Sequence, residues 1–344
     1  MKIMVQSKSG DTVFDCSDQE TILHAGLRQG LNLPYQCATG TCGTCRARVM
    51  SGDVDVGWTD APGARRLKPE LGDILMCQTR ARSDCLLRIP SEIAVVNQIR
   101  PAARLGVISA IRNLTSDVLH FEVQLSTPMK FEAGQFVVIE APNLIGGRAY
   151  SMVNFATEPQ MISLVVKRKP GGRFSEWITA QIGANPEVKV FGPLGSAVFR
   201  PEEKKSIVCI AGGSGIAGIM SILESAIRAD HFRHHKGIVF FGVRTLADVF
   251  YLETLSRYVA ASHGNLKVTI ALSHETTANL SLADYPLLYL ANGLVHEVAS
   301  KVLTNPDEGV IAYVAGPPIM VDAAIRALIV SGLPNRNIRY DKFG

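Results

Sequence analysis

The chain has 344 residues, more than one ordinary compact core holds, so two or three domains are expected. Its hydrophobic content of 47% and its formal net charge of +4 argue against a disordered chain and against a polybasic tail for nucleic acid or an anionic membrane. The N-terminus lacks the apolar core of a secretory signal, which predicts a cytoplasmic location. The uncharged run 206–223 contains four glycines, which predicts strand, turn and helix and not a membrane span.

The first segment, residues 1–96, alternates short apolar runs with turns and has one helical pattern at about Glu20 to Gln29. A linker is predicted at 97–104 because of Pro101 and the two alanines that follow it. Residues 105–200 contain closely spaced strand patterns, which predict a small antiparallel barrel with one helix near Phe174. Residues 201–344 alternate buried strands with helical patterns near 216–228, 247–260, 294–303 and 318–331, which predicts a parallel α/β sheet.

Four cysteines in the first segment form one pattern. Cys37, Cys42 and Cys45 follow the spacing C-x4-C-x2-C, and Cys77 follows after 31 intervening residues. The residues between the first three are small, so main-chain N–H groups can approach sulfur. This spacing is typical of a plant-type [2Fe-2S] cluster with those four ligands. The alternative is a structural zinc site, which usually takes its cysteines from two separated pairs.

Two weaker motifs lie in the barrel segment. Arg148-Ala149-Tyr150-Ser151 follows a glycine turn, and alone it is more typical of a surface cation beside a half-buried ring. Gly171-Gly172-Arg173-Phe174-Ser175 opens a helix, where free N–H groups and the helix dipole can hold an anion. Its alternative is a capped loop. The two motifs in this order favour a flavin pyrophosphate site.

Two glycine segments follow buried strands in the last part of the chain. Gly212, Gly213 and Gly215 open a helix after an apolar strand, a setting in which the backbone approaches a dinucleotide. Gly316 and Pro317 follow a later strand, where simple helix punctuation is the alternative. Phe241-Gly242-Val243-Arg244 ends another strand, with Asp248 nearby. Acidic residues in this region disfavour a 2′-phosphate, so NADH is predicted over NADPH.

Taken in order, these motifs resemble the ferredoxin–NAD(P)+ reductase superfamily, in the form of the one-chain reductases of bacterial multicomponent oxygenases. The resemblance implies a β-grasp ferredoxin domain at 1–96, a β-barrel FAD domain at 105–200 and a parallel α/β NAD-binding domain at 201–344. It implies FAD contacts from Arg148, Ala149, Tyr150, Ser151, Val165, Lys167, Gly171, Gly172 and Ser175. It implies NADH contacts from Gly212, Gly213, Gly215, Arg244, Asp248, Gly316 and Pro317, with Phe343 shielding the flavin.

The resemblance also implies a function and a partner. Hydride passes from NADH to FAD, and single electrons pass through the [2Fe-2S] cluster to a Rieske or di-iron terminal oxygenase, or to its ferredoxin, with an aromatic or related hydrocarbon as the substrate hydroxylated. No side chain is expected to act as an acid or a base. The alternatives are a reductase for another acceptor, such as a deoxysugar dehydratase or a free ferredoxin, and a zinc module fused to a nucleotide sensor.

Overall fold

The computed structural model describes residues 1–95, 99–277, 280–304 and 309–343. Two compact units are distinguished within it. The first comprises Met1–Gly106, Val137–Tyr150 and Glu187–Leu194, and the second comprises Val107–Phe136, Ser151–Pro186 and Gly195–Gly344. Each unit therefore contains part of the segment predicted as a barrel. The division at residues 96, 104 and 200 stays a prediction.

The N-terminal part of the first unit is a mixed sheet crossed by one helix. Its elements are β1 (Lys2–Ser7), β2 (Gly10–Asp15), α1 (Ile22–Arg28), β3 (Arg46–Ser51), β4 (Val54–Val56), β5 (Asp73–Leu75), β6 (Thr79–Ala81) and β7 (Cys85–Arg88). The main sheet has the order β2-β1-β7-β3-β5, and β4 pairs with β6. Among the pairs β1–β2, β1–β7, β3–β5 and β3–β7 of this sheet, only β1 and β7 run parallel. This is the expected β-grasp arrangement.

Local sequence explains the helix α1, which confirms the helix predicted at about Glu20 to Gln29. The hydroxyl of Thr21 accepts a hydrogen bond from the backbone N–H of His24 at 3.3 Å, so the first turn is capped. The apolar side chains of the helix are buried, among them Ile22, Leu23 and Leu27. Burial of this stripe against the sheet stabilises a helix too short to persist alone.

The barrel strands are divided between the two units. They are β8 (Ala102–Asn113), β9 (Val118–Leu125), β10 (Phe136–Glu140), β11 (Arg148–Ser151), β12 (Met161–Lys167) and β13 (Glu187–Leu194). The first unit contains the order β11-β10-β13 and the start of β8, and the second contains the rest of β8 with β9 and β12. β9 and β12 pair antiparallel, and the strands form the predicted near-closed antiparallel barrel.

The predicted linker at 97–104 overlaps the first barrel strand. β8 begins at Ala102, so the last residues of that segment pair in the sheet. Residues 97 and 98 lie outside the described residues. The predicted helix near Phe174 is α2 (Arg173–Ala180).

A six-stranded parallel sheet fills the C-terminal part of the second unit. Its strands are β14 (Ser206–Gly212), β15 (Gly237–Val243), β16 (Leu266–Leu272), β17 (Leu288–Asn292), β18 (Val310–Gly316) and β19 (Ile338–Lys342). Their order is β17-β16-β15-β14-β18-β19, and the neighbouring strands of each pair run parallel. The helices are α3 (Ile216–Arg228), α4 (Leu252–Ala260), α5 (Val295–Val302) and α6 (Pro318–Val330). The predicted parallel α/β class is confirmed.

The two edge strands were not predicted from sequence. Both strands, β17 and β19, are half-exposed along most of their length. The sequence of β19 is polar, and the apolar run within β17 is only four residues long. The helical pattern predicted at 247–260 is interrupted: a short 3-10 turn at Leu246–Asp248 precedes α4. Tyr251 takes a left-handed backbone between the two.

Separate cores cover the two faces of the parallel sheet. Residues of α3 and α4, such as Leu223 and Leu255, are buried on one face, and that core continues to the barrel residues Val118 and Val165. Residues of α5 and α6, such as Val298, are buried on the other face. Among the described residues, every helix is too short or too polar to span a membrane.

A histidine stacked between modules makes the first unit sensitive to acid. The ring of His24 stacks on Phe191 with centroids 3.8 Å apart, and its buried Nε2 finds no hydrogen-bond partner among the described residues. Burial lowers the pKa of His24 to about 4 from 6.5. Between these two pH values the unfolded chain therefore binds more protons than the folded chain. The free energy of unfolding falls by about 3 kcal/mol as the pH is lowered from 6.5 through 4.

The measurement is a urea titration followed by the visible absorbance of the iron–sulfur domain at pH 7 and pH 4.5. His24→Leu should show a smaller loss of stability between these pH values than the unchanged protein does. The exposed His234→Leu is the matched control and should behave like the unchanged protein. An equal loss of stability in His24→Leu and the unchanged protein would contradict the assignment.

Candidate functional site: a cysteine loop, a flavin strand and a nucleotide edge

The four predicted cluster ligands are brought together by two neighbouring strands. Cys45 directly precedes β3, and Cys77 follows β5, its antiparallel partner. The backbone N–H of Met76 donates to the carbonyl of Cys45 at 3.0 Å, which fixes the two ends side by side. The sulfurs of Cys45 and Cys77 are 3.2 Å apart. Sequence positions 32 apart thus become adjacent.

The loop before β3 directs backbone donors at sulfur. The N–H groups of Thr39 and Cys42 both donate to Cys37 Sγ at 3.4 Å, and that of Thr44 donates to Cys42 Sγ at 3.5 Å. Gly40 and Gly43 have φ angles of +85° and +80°, which glycine adopts without steric cost. Such N–H groups stabilise negative charge on thiolate sulfur, as an iron–sulfur site requires.

The four predicted cysteine ligands form two pairs, Cys37 with Cys42 and Cys45 with Cys77. A hydrogen bond from the partner thiol lowers the pKa of Cys42 and the pKa of Cys77. Among the described residues no three His, Cys, Asp or Glu side chains converge on a position for one ion. Two pairs fit a binuclear iron cluster better than one tetrahedral zinc cage. Cys42 is the exposed member.

The strand β11 carries the predicted flavin residues. Arg148, Ala149 and Tyr150 are half-buried in the first unit, and burial raises the pKa of the Tyr150 phenol. A Cβ on Gly147 would lie 2.3 Å from the Val138 side chain, so only glycine fits in this turn. The Arg148 guanidinium donates to the Gly147 carbonyl at 2.9 Å and lies over the ring of Trp58 at 5.5 Å.

The second unit places the last residue of this strand beside the nucleotide helix. A Cβ on Gly218, in the first turns of α3, would lie 3.4 Å from the Cβ of Ser151 and 3.6 Å from its hydroxyl oxygen. The absence of a side chain at Gly218 therefore lets the predicted flavin serine approach the helix that follows the glycine turn. Sequence analysis missed Gly218, because a glycine inside a helix carries no sign of its tertiary neighbour.

The predicted pyrophosphate turn is a tight local structure. Gly171 has φ +72° and open space around its α-carbon, which suits a bulky anion. The buried Ser175 hydroxyl donates to the carbonyl of Gly172 at 2.9 Å and accepts from the N–H of Lys169 at 3.2 Å. Ser175 therefore fastens the turn from within, and its predicted phosphate contact stays a prediction.

Two further residues predicted to contact FAD lie on β12. Val165 is 4% exposed and belongs to the core of the second unit, so only its backbone is placed to meet a ligand. The Lys167 ammonium pairs with the Asp117 carboxylate at 3.0 Å. Its charge is therefore already partly balanced.

The predicted nucleotide residues meet at the carboxyl ends of β14 and β18. These strands pair in parallel, with Ala211 opposite Ala315. A Cβ on Gly215 would lie 2.3 Å from the Ala315 carbonyl oxygen, and one on Gly212 would lie 3.4 Å from Pro317 Cδ. Gly213 has φ +53° and Gly316 has φ +152°. Dinucleotides bind parallel sheets at this edge.

The C-terminal aromatic reaches the same edge through β19. This strand pairs with β18, and the N–H of Phe343 donates to the Gly316 carbonyl at 3.2 Å. Asp341 on β19 lies opposite Ala315, and burial raises its pKa to about 7. Sequence analysis missed Asp341 because the polar strand β19 has no pattern that marks it as part of the sheet.

Arg244 and Asp248 lie after the next strand, β15. Arg244 is exposed, whereas the Asp248 carboxylate accepts hydrogen bonds from the backbone N–H of Thr245 at 3.0 Å and from its hydroxyl at 2.9 Å. Asp248 therefore closes a capping box. Glu275 accepts from the N–H of Leu246 at 2.7 Å, so two acids line this turn.

Family models match the chain in three consecutive segments. They are the 2Fe-2S iron-sulfur cluster binding domain at residues 5–82, the oxidoreductase FAD-binding domain at 106–199 and the oxidoreductase NAD-binding domain at 209–326. The ferredoxin–NAD(P)+ reductase CarAd of Metapseudomonas resinovorans is 31% identical over 97% of this chain and 98% of its own length. The chain belongs to the ferredoxin–NAD(P)+ reductase family.

Two other comparisons agree with this assignment. The ferredoxin–NAD(+) reductase component of the alkene monooxygenase system of Xanthobacter autotrophicus is 31% identical over 96% of this chain and 97% of that protein. A solved structure, the ferredoxin reductase in carbazole 1,9a-dioxygenase, has a TM-score of 0.84 at 29% identity and covers 100% of this chain and 99% of its own. The predicted order of modules and the resemblance to the ferredoxin–NAD(P)+ reductase superfamily are confirmed.

As a member of this reductase family, the chain is an oxidoreductase with a [2Fe-2S] domain, a FAD-binding domain and an NAD-binding domain. The residues present fit these groups. Paired thiols with N–H donors suit the cluster, and the open glycine turn at Gly171 suits an anion. The strand edge suits a dinucleotide, and side chains on Gly212 and Gly215 would collide with neighbouring atoms there. The individual contacts predicted for each residue stay predictions.

Proposed function

We propose that the chain is the NADH-dependent electron-transfer reductase component of a bacterial multicomponent oxygenase, located in the cytoplasm. The observation that carries the proposal is the combination of three redox modules on one chain, with Ser151 held against the helix that follows the nucleotide turn. Bound flavin accepts two electrons from nicotinamide as a hydride and releases them one at a time to an iron–sulfur centre. That exchange is what an oxygenase metal centre requires.

In this proposal the chain's residues bind and orient, and none transfers a proton. Arg148 and the turn at Gly171 and Gly172 hold the flavin phosphates, and Tyr150 and Ser151 contact its ring. The edge formed by Gly212, Gly213, Gly215, Gly316 and Pro317 admits the nicotinamide, and Phe343 covers the flavin until nicotinamide arrives. Support comes from the hydrogen bond that holds Phe343 to Gly316 at this edge.

The partner is a terminal oxygenase, with a Rieske or a di-iron centre, or its ferredoxin. Support comes from relatives named as components of such systems, including the reductase component DmpP of phenol 2-monooxygenase from a Pseudomonas strain, 32% identical over 96% of this chain and 91% of that protein. The proposed substrate of the partner is an aromatic or related hydrocarbon. The second candidate is a reductase for a deoxysugar dehydratase or a free ferredoxin.

NADH is the proposed donor, because two acids occupy the turn beside Arg244 where a 2′-phosphate would need cations. The test compares NADH with NADPH in reduction of cytochrome c, followed by reconstitution with purified Rieske and di-iron oxygenases. We expect a higher kcat/KM with NADH and NADH-driven hydroxylation by one oxygenase. A preference for NADPH would contradict the donor assignment. Transfer to a dehydratase but to no oxygenase would support the second candidate.

A further inference from the structure

A glutamine lies between the cluster loop and the flavin strand in the first unit. Gln78 directly follows the ligand Cys77 and is 7% exposed. Its backbone is fixed on both sides: its N–H donates to the Leu75 carbonyl at 2.9 Å, and its carbonyl accepts from the N–H of Gly57 at 2.9 Å. The side-chain amide of Gln78 donates to Cys77 Sγ at 3.6 Å. Gln78 is thus joined to the ligand Cys77 by a peptide bond and also donates a hydrogen bond to its sulfur.

The cluster loop leaves space for this side chain. A Cβ on Gly40 would lie 3.1 Å from both Cγ and Cδ of Gln78, tighter than an ordinary contact. Gly40 also has φ +85°, so both its backbone and its surroundings favour glycine. The Gln78 amide therefore passes through the place that a side chain at Gly40 would occupy.

The far end of Gln78 faces the turn that leads into β11. A Cβ on Gly146 would lie 3.7 Å from Gln78 Oε1 and 3.6 Å from Cε3 of Trp58. Trp58 is also the ring that lies beneath the Arg148 guanidinium at 5.5 Å. Gln78 and Trp58 therefore both lie near Gly146, and Trp58 also lies beneath Arg148 at the other end of the segment Gly146–Arg148. The segment is the start of the strand proposed to carry the flavin.

We propose that Gln78 and Trp58 form the junction through which electrons pass from the flavin strand to the cluster, an inference that rests on the proposed function. Gln78 has two positioning roles. Its amide donor withdraws electron density from the Cys77 sulfur, which raises the reduction potential of the cluster, and its side chain closes the gap to Gly146. Trp58 closes the neighbouring gap, and within the described part of the chain its side chain forms no hydrogen bond with a cysteine. Tunnelling slows steeply as such gaps widen.

The experiment uses the full holoenzyme with Gln78→Leu and Trp58→Leu, and Gln124→Leu as the matched control. Gln124 is an exposed amide on β9. The cluster's midpoint potential is measured by anaerobic redox titration with EPR detection. The rate of cluster reduction after mixing with NADH is measured by stopped-flow absorbance.

We expect Gln78→Leu to shift the potential to a more negative value and to slow cluster reduction several-fold. Trp58→Leu should slow cluster reduction several-fold at an unchanged potential, and Gln124→Leu should change neither quantity. If Gln78→Leu loses the cluster on purification, Trp58→Leu decides the question alone.

An unchanged reduction rate in Trp58→Leu would overturn the junction, as would a potential shifted in that variant. An unchanged potential in Gln78→Leu would overturn the sulfur-directed role of the amide. Unchanged protein that lacks a cluster EPR signal after reconstitution would overturn the proposed function itself, so the two failures are distinguishable.

Discussion

Cys77→Ala is expected to abolish cytochrome c reduction and to leave reduction of ferricyanide by NADH within about twofold of normal, because the flavin alone can take a hydride from NADH and pass electrons to ferricyanide without the cluster. One pair of thiols, Cys45 with Cys77, supplies half of the cluster's ligands, and the sulfur of Cys77 lies 3.2 Å from its partner. Removing it leaves three ligands and an unpaired, buried thiol. The protein should lose its visible iron–sulfur absorbance and its rhombic EPR signal after dithionite.

Cys85→Ala is the matched control for this substitution. Both cysteines are 4% exposed, but Cys85 lies outside the ligand pattern. Among the described residues, its sulfur hydrogen-bonds only to the carbonyls of Asp53 and Ser83. Iron content, absorbance and cytochrome c reduction should be retained. A Cys77→Ala protein with full iron content, or an unchanged protein that is colourless and zinc-loaded, would refute the assignment of the cluster.

Gly215→Ala is expected to destabilise the nucleotide-binding part by about 3 kcal/mol and to abolish flavin reduction by NADH. The added Cβ would lie 2.3 Å from the carbonyl oxygen of Ala315 and 2.9 Å from the N–H nitrogen of Gly316. Both neighbours are backbone atoms of β18, so the strand itself must move. The backbone of Gly215 has φ −60°, so the whole effect comes from this collision.

Gly213→Ala separates steric collision from backbone strain. Gly213 has φ +53° and nothing within 4 Å of an added Cβ, so the cost is that of a left-handed alanine, about 1 kcal/mol. Urea unfolding followed by tryptophan fluorescence and circular dichroism measures both variants, with NADH-dependent bleaching of the flavin as the functional readout. The assignment fails if Gly215→Ala is as stable as the unchanged protein, or if Gly213→Ala is the less stable of the two.

These substitutions test different requirements of the same reductase. The cysteine substitutions test whether four thiolate ligands are required for the cluster. The [2Fe-2S] domain holds these cysteines on a loop whose N–H groups donate to sulfur. The glycine substitutions test whether the space between two strands at the nucleotide edge is too small for a side chain. The junction at Gln78 concerns how closely two modules approach.

The amino-acid sequence by itself determined the class of chemistry and the order of the modules. C-x4-C-x2-C is a local pattern whose ligands come from one loop, so spacing alone indicates the cluster. The apolar runs of β14, β15, β16 and β18 identify a parallel sheet because such strands are buried on both faces. The motifs at Arg148 and Gly171 indicate a flavin only through their order along the chain.

The tertiary structure decided which of these residues meet and which are used within their own turns. Gly215 meets Ala315, Ser151 meets Gly218, and Phe343 meets Gly316, all between residues far apart in the chain. Such contacts depend on strand order and register, which no local pattern specifies. The same is true of the half-exposed strands β17 and β19, whose side chains lack periodicity because pairing, and not burial, holds them at the sheet edges.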